Sequence, residues 1–350
     1  MKKEPLYRKI ENYLLDLIRI NRGDADYLLP SESQLCIKFN ASREPIRKAF
    51  AELEKSGKIV RKQGKGAYIK HSENDDSVGH SPHLIAIILP EFSTTFAHNI
   101  INGVRMFCSD SGNRYVFLPS FISPNEEQAN IQLAKQLHCD GVLLMPVDND
   151  VYNDALLRVV IEKTPCIFLD RKLVGLTIPS VSSDHTLMGY RATVKLLDRG
   201  CDKIAFFAFS DQITSVNERV QGYRKALAEK GITDEYAVNI MWISEQMLRE
   251  NLQMFLQTRP EINGIILSSG KIAASAIYTL QKLGKKIGED IHMVVFDEDN
   301  ALINTTMDIV TDAIVQDGFR IGYTAAQLLI RQIEQHEIPP QQTFVPLLQS

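Results

Sequence analysis

The sequence predicts an α/β protein in two parts, a small basic head of short helices and a large two-lobed body built on parallel sheets. Three observations lead to that reading. Charge is divided along the 350 residues: positions 1–70 hold 16 Lys+Arg against 9 Asp+Glu, a net of +7, whereas the remainder holds 23 against 34, a net of −11. The overall formal charge of −4 conceals this split, which a polyanion-binding module joined to a different module would produce. Residues 71–82, HSENDDSVGHSP, are polar, nearly without apolar side chains, and include Gly79 and Pro82, a linker composition. Beyond the linker, short apolar runs alternate with amphipathic stretches, and runs apolar on both faces suit strands buried between helix layers.

In the head, Leu6, Ile10, Tyr13, Leu14, Leu17 and Ile18 share one face of a first amphipathic helix over residues 6–18. After a loop with Gly23 and Pro30, Ser31-Glu-Ser-Gln34 fits a capping box, with Ser31 as N-cap of a second helix and Gln34 reaching back. Leu35 and Phe39 form its expected buried face. Asn40-Ala41 is the turn, Ser42 the N-cap of a third helix, and Pro45 lies in its first turn, where a missing N–H costs little. Ile46, Phe50 and Leu53 then face inward, leaving Arg43, Glu44, Arg47 and Lys48 exposed around the N-terminal half. Two short helices joined by a tight turn, with arginines opening the second, match how a recognition helix enters a major groove. The arginine fork can bond guanine or phosphate bidentately. Strands at 59–61 and 67–69 flank Gln63-Gly-Lys-Gly66, whose glycines allow a positive φ. A hairpin tipped with Arg61, Lys62 and Lys65 is a basic wing, which makes the head a winged helix-turn-helix.

Leu29-Pro-Ser-Glu32, Ser42-Arg43, Ile46-Arg47, Gly57-Lys-Ile59 and Gln63-Gly-Lys-Gly66 together resemble the winged-helix head of the gluconate-repressor (GntR) family over about residues 5–70. The resemblance implies DNA contact by Arg43 and Arg47, with the Gly64 to Gly66 turn at the wing. Candidate contacts are Ser31, Ser33, Ser42, Arg43, Glu44, Arg47 and Lys48 from the helices, and Arg61, Lys62, Gly64, Lys65 and Gly66 from the wing. The chain departs from the family at Ser33, where an Arg usually follows Ser-Glu.

In the body, residues 84–89, 115–118, 141–145 and 165–169 read as one group of strands, and 203–209, 237–242, 263–268 and 291–296 as a second. Two groups of about four imply two similar lobes. In such sheets ligands sit beyond the carboxyl ends of the strands, so the loops there carry the candidates. They hold Phe96, Asp170-Arg171, Ser183-Asp184-His185, Asn217-Glu-Arg219 and Asp297. Carboxylates, a guanidinium and an aromatic ring are what a polyhydroxylated ligand requires, although Asp184 and Asp297 would serve equally as helix caps, Arg219 as a surface ion pair and Phe96 as core.

Ile87-Ile-Leu-Pro90 with Phe96, Asp140-Gly141-Val-Leu, Phe168-Leu-Asp-Arg171, Ser180-Val-Ser-Ser-Asp184, Arg219-Val-Gln-Gly222-Tyr-Arg-Lys-Ala-Leu227 and Val294-Val-Phe-Asp297 resemble the effector domain of the lactose-repressor (LacI) family, a periplasmic-binding-protein-like fold, over nearly all of 83–350. That resemblance implies Arg219 and Asp297 as sugar-hydroxyl ligands and Phe96 as a stacking ring, with Asp170, Arg171 and Asp184 as further contacts. Where the family usually has Ala-Asn-Asp, this chain has Ser268-Ser-Gly270, so Ser269 stands in place of a stronger polar ligand. A sugar phosphate held by Arg171 and Lys271 stays open on that account. The lobes are expected at about 83–184 plus 311–332 and 185–310 plus 333–350.

The five cysteines are widely spaced, and no Cys or Cys/His pattern indicates a disulfide framework or a metal site. The opening MKKEPLYRKI lacks the apolar centre of a signal peptide and no run approaches a membrane span, so a reducing cytoplasm is the expected setting. No G-x-S-x-G, Walker A or H-E-x-x-H motif occurs and no cofactor is implied. The combined reading is a non-enzymatic regulator that resembles arabinose-repressor-type chimaeras: a homodimer binding operator DNA, most simply as a repressor, under control of a small polar ligand. Two rivals are a solute receptor, which calls for a signal sequence and no basic head, and a sugar-modifying enzyme, which calls for a reactive constellation in the cleft.

Overall fold

The structure is a computed structural model, and it describes residues 6–20, 28–39, 41–62, 66–69, 82–147, 153–208, 213–239, 244–297 and 312–348. The chain divides into two compact units, Met1–Ser81 and Pro82–Ser350.

In the first unit α1 (Leu6–Ile20), α2 (Glu32–Phe39) and α3 (Arg43–Lys55) precede an antiparallel hairpin of β1 (Ile59–Lys62) and β2 (Gly66–Ile69). Ile10, Leu14 and Ile18 recur every four residues and meet Leu35, Ile46, Phe50 and Leu53 in one small core, which Ile59 and Ala67 close. Tyr13 packs edge-on against Phe39 with ring centroids 5.4 Å apart. Leu6, expected on the same face, is exposed at the start of the helix. The segment around Pro30 contributes more than a loop. Leu29 donates its N–H to the Ala67 carbonyl at 2.9 Å, and Leu28 bridges Tyr68, so a third extended stretch pairs with the hairpin.

The second unit holds two sheets. The first combines β3 (Leu84–Leu89), β4 (Arg114–Pro119), β5 (Gly141–Leu144), β6 (Cys166–Leu169), β7 (Ser180–Ser183) and β13 (Gln342–Val345) in the order β13-β7-β6-β5-β3-β4. The second combines β8 (Ile204–Ala208), β9 (Tyr236–Asn239), β10 (Gly264–Leu267), β11 (His292–Phe296) and β12 (Asp312–Ile314) in the order β12-β11-β10-β8-β9. The pairings within both sheets are parallel. Ile85, Ile87 and Leu89 point into a core shared with α4 (Thr95–Ser111) and α11 (Gly318–Gln335). Ala86 and Ile88, on the alternate face, join a core with α5 (Pro124–Gln136) and α6 (Asp154–Ile161). This two-sided burial is why the strands read as continuous apolar runs. In the second lobe α7 (His185–Asp198) and α8 (Thr214–Glu229) cover one face, and α9 (Glu245–Thr258) and α10 (Ala273–Lys282) the other.

Three strands carry no long apolar run and were not anticipated: β7, β12 and β13. All four residues of β7 are buried, yet three are serines. The expected lobe boundaries also change at the C-terminal end. Residues 311–332 were assigned to the first lobe and 333–350 to the second, but β12 completes the second sheet and β13 the first. Helix α11, which packs on α4 and therefore belongs to the first lobe, lies between them, so the chain crosses between lobes before that helix.

Each lobe contains one helix pair in backbone contact. A methyl group added at Gly189 of α7 would collide with the Arg219 carbonyl, and one at Gly222 of α8 with the Thr186 carbonyl. The first lobe repeats the device, with Gly103 of α4 against the Phe319 carbonyl and Gly322 of α11 against that of Ile100. Gly222→Ala should therefore destabilise the body by about 1–3 kcal/mol, the usual range for overpacking. The expected reading is a fall of several degrees in the thermal unfolding midpoint of the full chain; an unchanged midpoint would show that the helices separate at no cost.

Candidate functional site

The exposed face of the head is organised by its caps and ion pairs. Gln34 accepts from the Ser31 N–H at 2.8 Å while the Ser31 hydroxyl accepts from the Gln34 N–H at 3.3 Å, so the expected capping box is formed. Ser42 occupies the N-cap position of α3 in extended backbone, but its hydroxyl makes no capping bond. The third residue of that helix is Pro45, which has no N–H to give. Ser31, Ser33, Ser42, Arg43, Glu44, Arg47, Lys48 and Arg61 are all exposed. Gly66 opens β2 with φ 109°. The Lys62 side chain, Gly64 and Lys65 lie outside the described residues.

Sequence reasoning gave no role to Glu32, although it belongs to the Leu29-Pro-Ser-Glu32 motif. Its carboxylate accepts from Arg47 Nε at 3.0 Å and lies 3.9 Å from Arg61 Nη1. One residue of α2 thus ties the recognition helix to the wing. Arg61 also stacks over Phe50, 5.0 Å from the ring centre, which restricts where its guanidinium can point. Lys48 Nζ lies 4.2 Å from the Tyr7 ring centre.

The body holds a cleft between its lobes of about 1020 Å³, counting space open to solvent. It lies at the carboxyl ends of the strands, where parallel α/β sheets bind ligands. Pro90 and Glu91 follow β3, Met145 follows β5, and Asp170 and Arg171 follow β6. From the second lobe come Ser268 and Ser269 after β10, Asp297 after β11 and Gln316 after β12. The first turns of α4 add Phe96 and Ala97, and those of α8 add Ser215, Val216 and Arg219.

Arg219 is the centre of the polar network. It is only 4% exposed, so its charge must be met by fixed partners. Nε donates to His185 Nδ1 at 3.3 Å, Nη1 donates to the Ser268 carbonyl at 3.0 Å, and the guanidinium stacks 4.6 Å from the Phe296 ring centre. Because a guanidinium nitrogen can only donate, His185 Nδ1 is the acceptor there and the ring proton sits on Nε2. Nε2 lies 2.8 Å from the Asp170 carbonyl oxygen, to which it donates, and 3.4 Å from Asp170 Oδ1. Arg219 Nη2 remains 3.9 Å from Asp297 Oδ2, beyond hydrogen-bonding distance. Gln316 Nε2 donates to both Asp297 oxygens at 3.1 and 3.4 Å.

The two aspartates are tuned in opposite directions. Burial alone would raise the Asp170 carboxyl, but His185 alongside and the Arg171 and Arg219 guanidiniums bring it down to about 2. Burial raises the Asp297 carboxyl, and the nearby Asp170 charge adds to this against the opposing pull of Arg219. Both residues have left-handed backbone, φ 62° and 72°, which aspartate tolerates better than most side chains.

Of the residues expected to touch a ligand, Phe96, Asp170, Arg171, Arg219, Ser269 and Asp297 come together in the cleft. Asp184 does not. It is the N-cap of α7 and accepts from the Leu187 N–H at 2.8 Å, so its carboxylate is spent on the helix end. The backbone of Lys271 falls in a short 3₁₀ turn, and its side chain lies outside the described residues. His185 and Gln316 were missed as site residues. The only sequence signal for His185 was its place beside Asp184, and for Gln316 there was none, because β12 was unread. Among the described residues no group of three or more His, Cys, Asp or Glu is placed to hold a metal ion.

The aspartates give paired expectations. Asp170 has a folded pKa of about 2 against an ordinary 3.8, so its stabilisation is full above the ordinary value and lost as pH falls through about 2. Asp170→Asn should therefore cost about 2 kcal/mol at pH 7, and the deficit should shrink as the pH approaches 2. Asp297, raised, binds its proton more tightly when folded, so its charged form is a burden at pH 7. The unliganded Asp297→Asn protein should be at least as stable as the parent at pH 7, with the difference closing in acid. Urea unfolding across that pH range separates the two cases.

Residues 82–348 match the family described as "Periplasmic binding proteins and sugar binding domain of LacI family", and residues 6–69 match "Bacterial regulatory proteins, gntR family". An arabinose metabolism transcriptional repressor of Halalkalibacterium halodurans is 23% identical over 337 residues, covering 94% of this chain and 88% of that protein. A ribose operon repressor of the same organism is 27% identical over 263 residues, covering 75% of this chain and 76% of that protein. Among solved structures, the transcription regulator CcpA of Lactococcus lactis superposes with a TM-score of 0.67 at 20% identity, over 77% of this chain and 97% of that one. A LacI family transcriptional regulator from Enterococcus faecium, solved with bound ribose, gives 0.63 at 20% identity over 76% and 96%. Among the described residues no helix is long and apolar enough to cross a membrane. The chain belongs to the family of periplasmic binding proteins and LacI-type sugar-binding domains, and it carries the helix-turn-helix head of the bacterial gntR-family regulators.

Proposed function

We propose that this chain is a cytoplasmic, dimeric, non-enzymatic transcriptional repressor of sugar-utilisation genes, released from its operator by a sugar or sugar derivative bound between the lobes. The observation that carries the ligand class is the open pair of Arg219 and Asp297, 3.9 Å apart. A hydroxyl is both donor and acceptor, so one hydroxyl can accept from the guanidinium and donate to the carboxylate, closing a triangle that neither group closes alone. The arabinose and ribose repressors among the relatives, and the ribose held by a structural neighbour, support the same class.

In this reading Arg43, Arg47 and Lys48 meet base edges and phosphates in a major groove, and Arg61 meets the backbone from the wing. Dimerisation supplies two half-sites. An effector that prefers the closed lobes lowers operator affinity by its differential binding energy, typically about 1–3 kcal/mol.

The test pairs two variants of the full chain. Against pentoses, hexoses, deoxy sugars, uronic acids and sugar phosphates, a ligand at ~100 times its dissociation constant should add about 2.7 kcal/mol of stability, seen as a higher unfolding midpoint. Arg219→Ala should lose that shift and still bind DNA selected by the parent from a random pool. Arg47→Ala should keep the shift but bind the selected DNA about 1–3 kcal/mol more weakly, with discrimination relaxed at one base pair. Its own stability should change little, because the exposed Arg47–Glu32 pair is worth at most about 1 kcal/mol. Loss of the ligand response in Arg47→Ala, or its survival in Arg219→Ala, would overturn this division of labour.

A further inference from the structure

At the cleft mouth the first lobe exposes three large apolar side chains: Phe92 is 48% exposed, Phe121 63% and Ile122 54%. They form a continuous surface. The Phe92 ring lies 6.2 Å from that of Phe121 and 5.7 Å from that of Phe117, and Ile122 itself lines the cleft beside Pro90. The backbone that presents two of them is strained, with φ 50° at Phe121 and 60° at Ile122. A β-branched residue in the left-handed region is a genuine outlier. The turn is also firmly anchored: Ile122 donates its N–H to the Pro90 carbonyl at 2.9 Å, and Ser120 donates its N–H to Leu89 at 2.9 Å. Strain usually persists where surrounding structure enforces it and where the conformation serves a site. Here burial does not offset it, since both side chains are more than half exposed.

Both lobes bring polar groups to the cleft, Asp170 and Arg171 from the first and Arg219, Asp297 and Gln316 from the second, while Pro90, Ile122 and Met145 of the first add apolar lining on the side of the exposed Phe92 and Phe121. We infer that Phe92, Phe121 and Ile122 are a specificity shelf, and that the effector is a hydroxylated ring bearing an apolar aryl or alkyl substituent that covers it. This rests on the sugar reading above and narrows it. A bare monosaccharide would satisfy the polar groups and leave the shelf in water, forfeiting the apolar contact.

The experiment is calorimetric titration of the full chain with matched methyl and phenyl glycosides of arabinose, ribose, glucose and galactose. For whichever sugar binds, the phenyl form should bind at least about tenfold more tightly than the methyl form. Ile122→Gly, which also relieves the strained φ, and Phe121→Ser should each pull that ratio toward one. Phe121→Ser, outside the cleft lining, should leave the methyl glycoside's affinity within about threefold of the parent's, and both variants should unfold as cooperatively as the parent, which excludes a folding defect. Equal affinity for the two forms in the parent, or a ratio unchanged in both variants, would overturn the shelf and leave the sugar reading standing. No binding by any glycoside or parent sugar would overturn both.

Discussion

A guanidinium buried in the wall of an open cleft constrains the second unit. Leaving Arg219 unpaired would be very costly, and its surroundings answer that cost group by group. The first residue of α7 accepts from Nε, a carbonyl at the end of β10 accepts from Nη1, and the last residue of β11 provides an aromatic face. Each partner comes from a different element, so the arginine is correct only when two strands and two helices are correct. The remaining side of the guanidinium faces Asp297 across a gap, which gives the cleft polarity without closing it.

The glycine contacts explain how the helices reach that geometry. Gly189 and Gly222 let α7 and α8 approach at backbone distance, and this brings His185 within reach of Arg219 from a neighbouring helix. A Cβ at either position would force the helices apart by more than a hydrogen bond can stretch. The first lobe uses the same contact between α4 and α11, so the two lobes share a packing solution as well as a sheet type.

Polar contacts also cross between the lobes beside Asp170. The Thr214 hydroxyl donates to the Lys172 carbonyl at 2.8 Å and accepts from its N–H at 3.2 Å, while Lys172 Nζ pairs with Glu218 at 2.9 Å. Partly exposed bonds of this kind contribute little each. The backbone carbonyl of Asp170, on the first lobe, accepts from His185 of the second, which in turn accepts from Arg219, so the polar network itself spans the division.

Much of this was legible in the chain. The Ser31–Gln34 cap, the inward spacing of Ile46, Phe50 and Leu53, and eight strands all follow from local patterns of polarity that burial on one or two faces imposes, whereas residues 71–81 of the expected linker lie outside the described residues. The serine-rich β7 was not legible, because its burial comes from neighbours on both sides rather than from its own hydrophobicity. The exchange of β12 and β13 between sheets was equally hidden, since sheet membership is a long-range choice that no local period encodes. Residue types marked Arg219 and Asp297 as candidates, but only packing could show that Asp184 is consumed by a helix end while His185, one position later, is inside the network. The sequence alone determined the two modules and most of their elements, through local polarity and capping chemistry. The tertiary structure decided which carboxylates face the cleft, because that depends on which helix ends and carbonyls the fold brings within hydrogen-bond range.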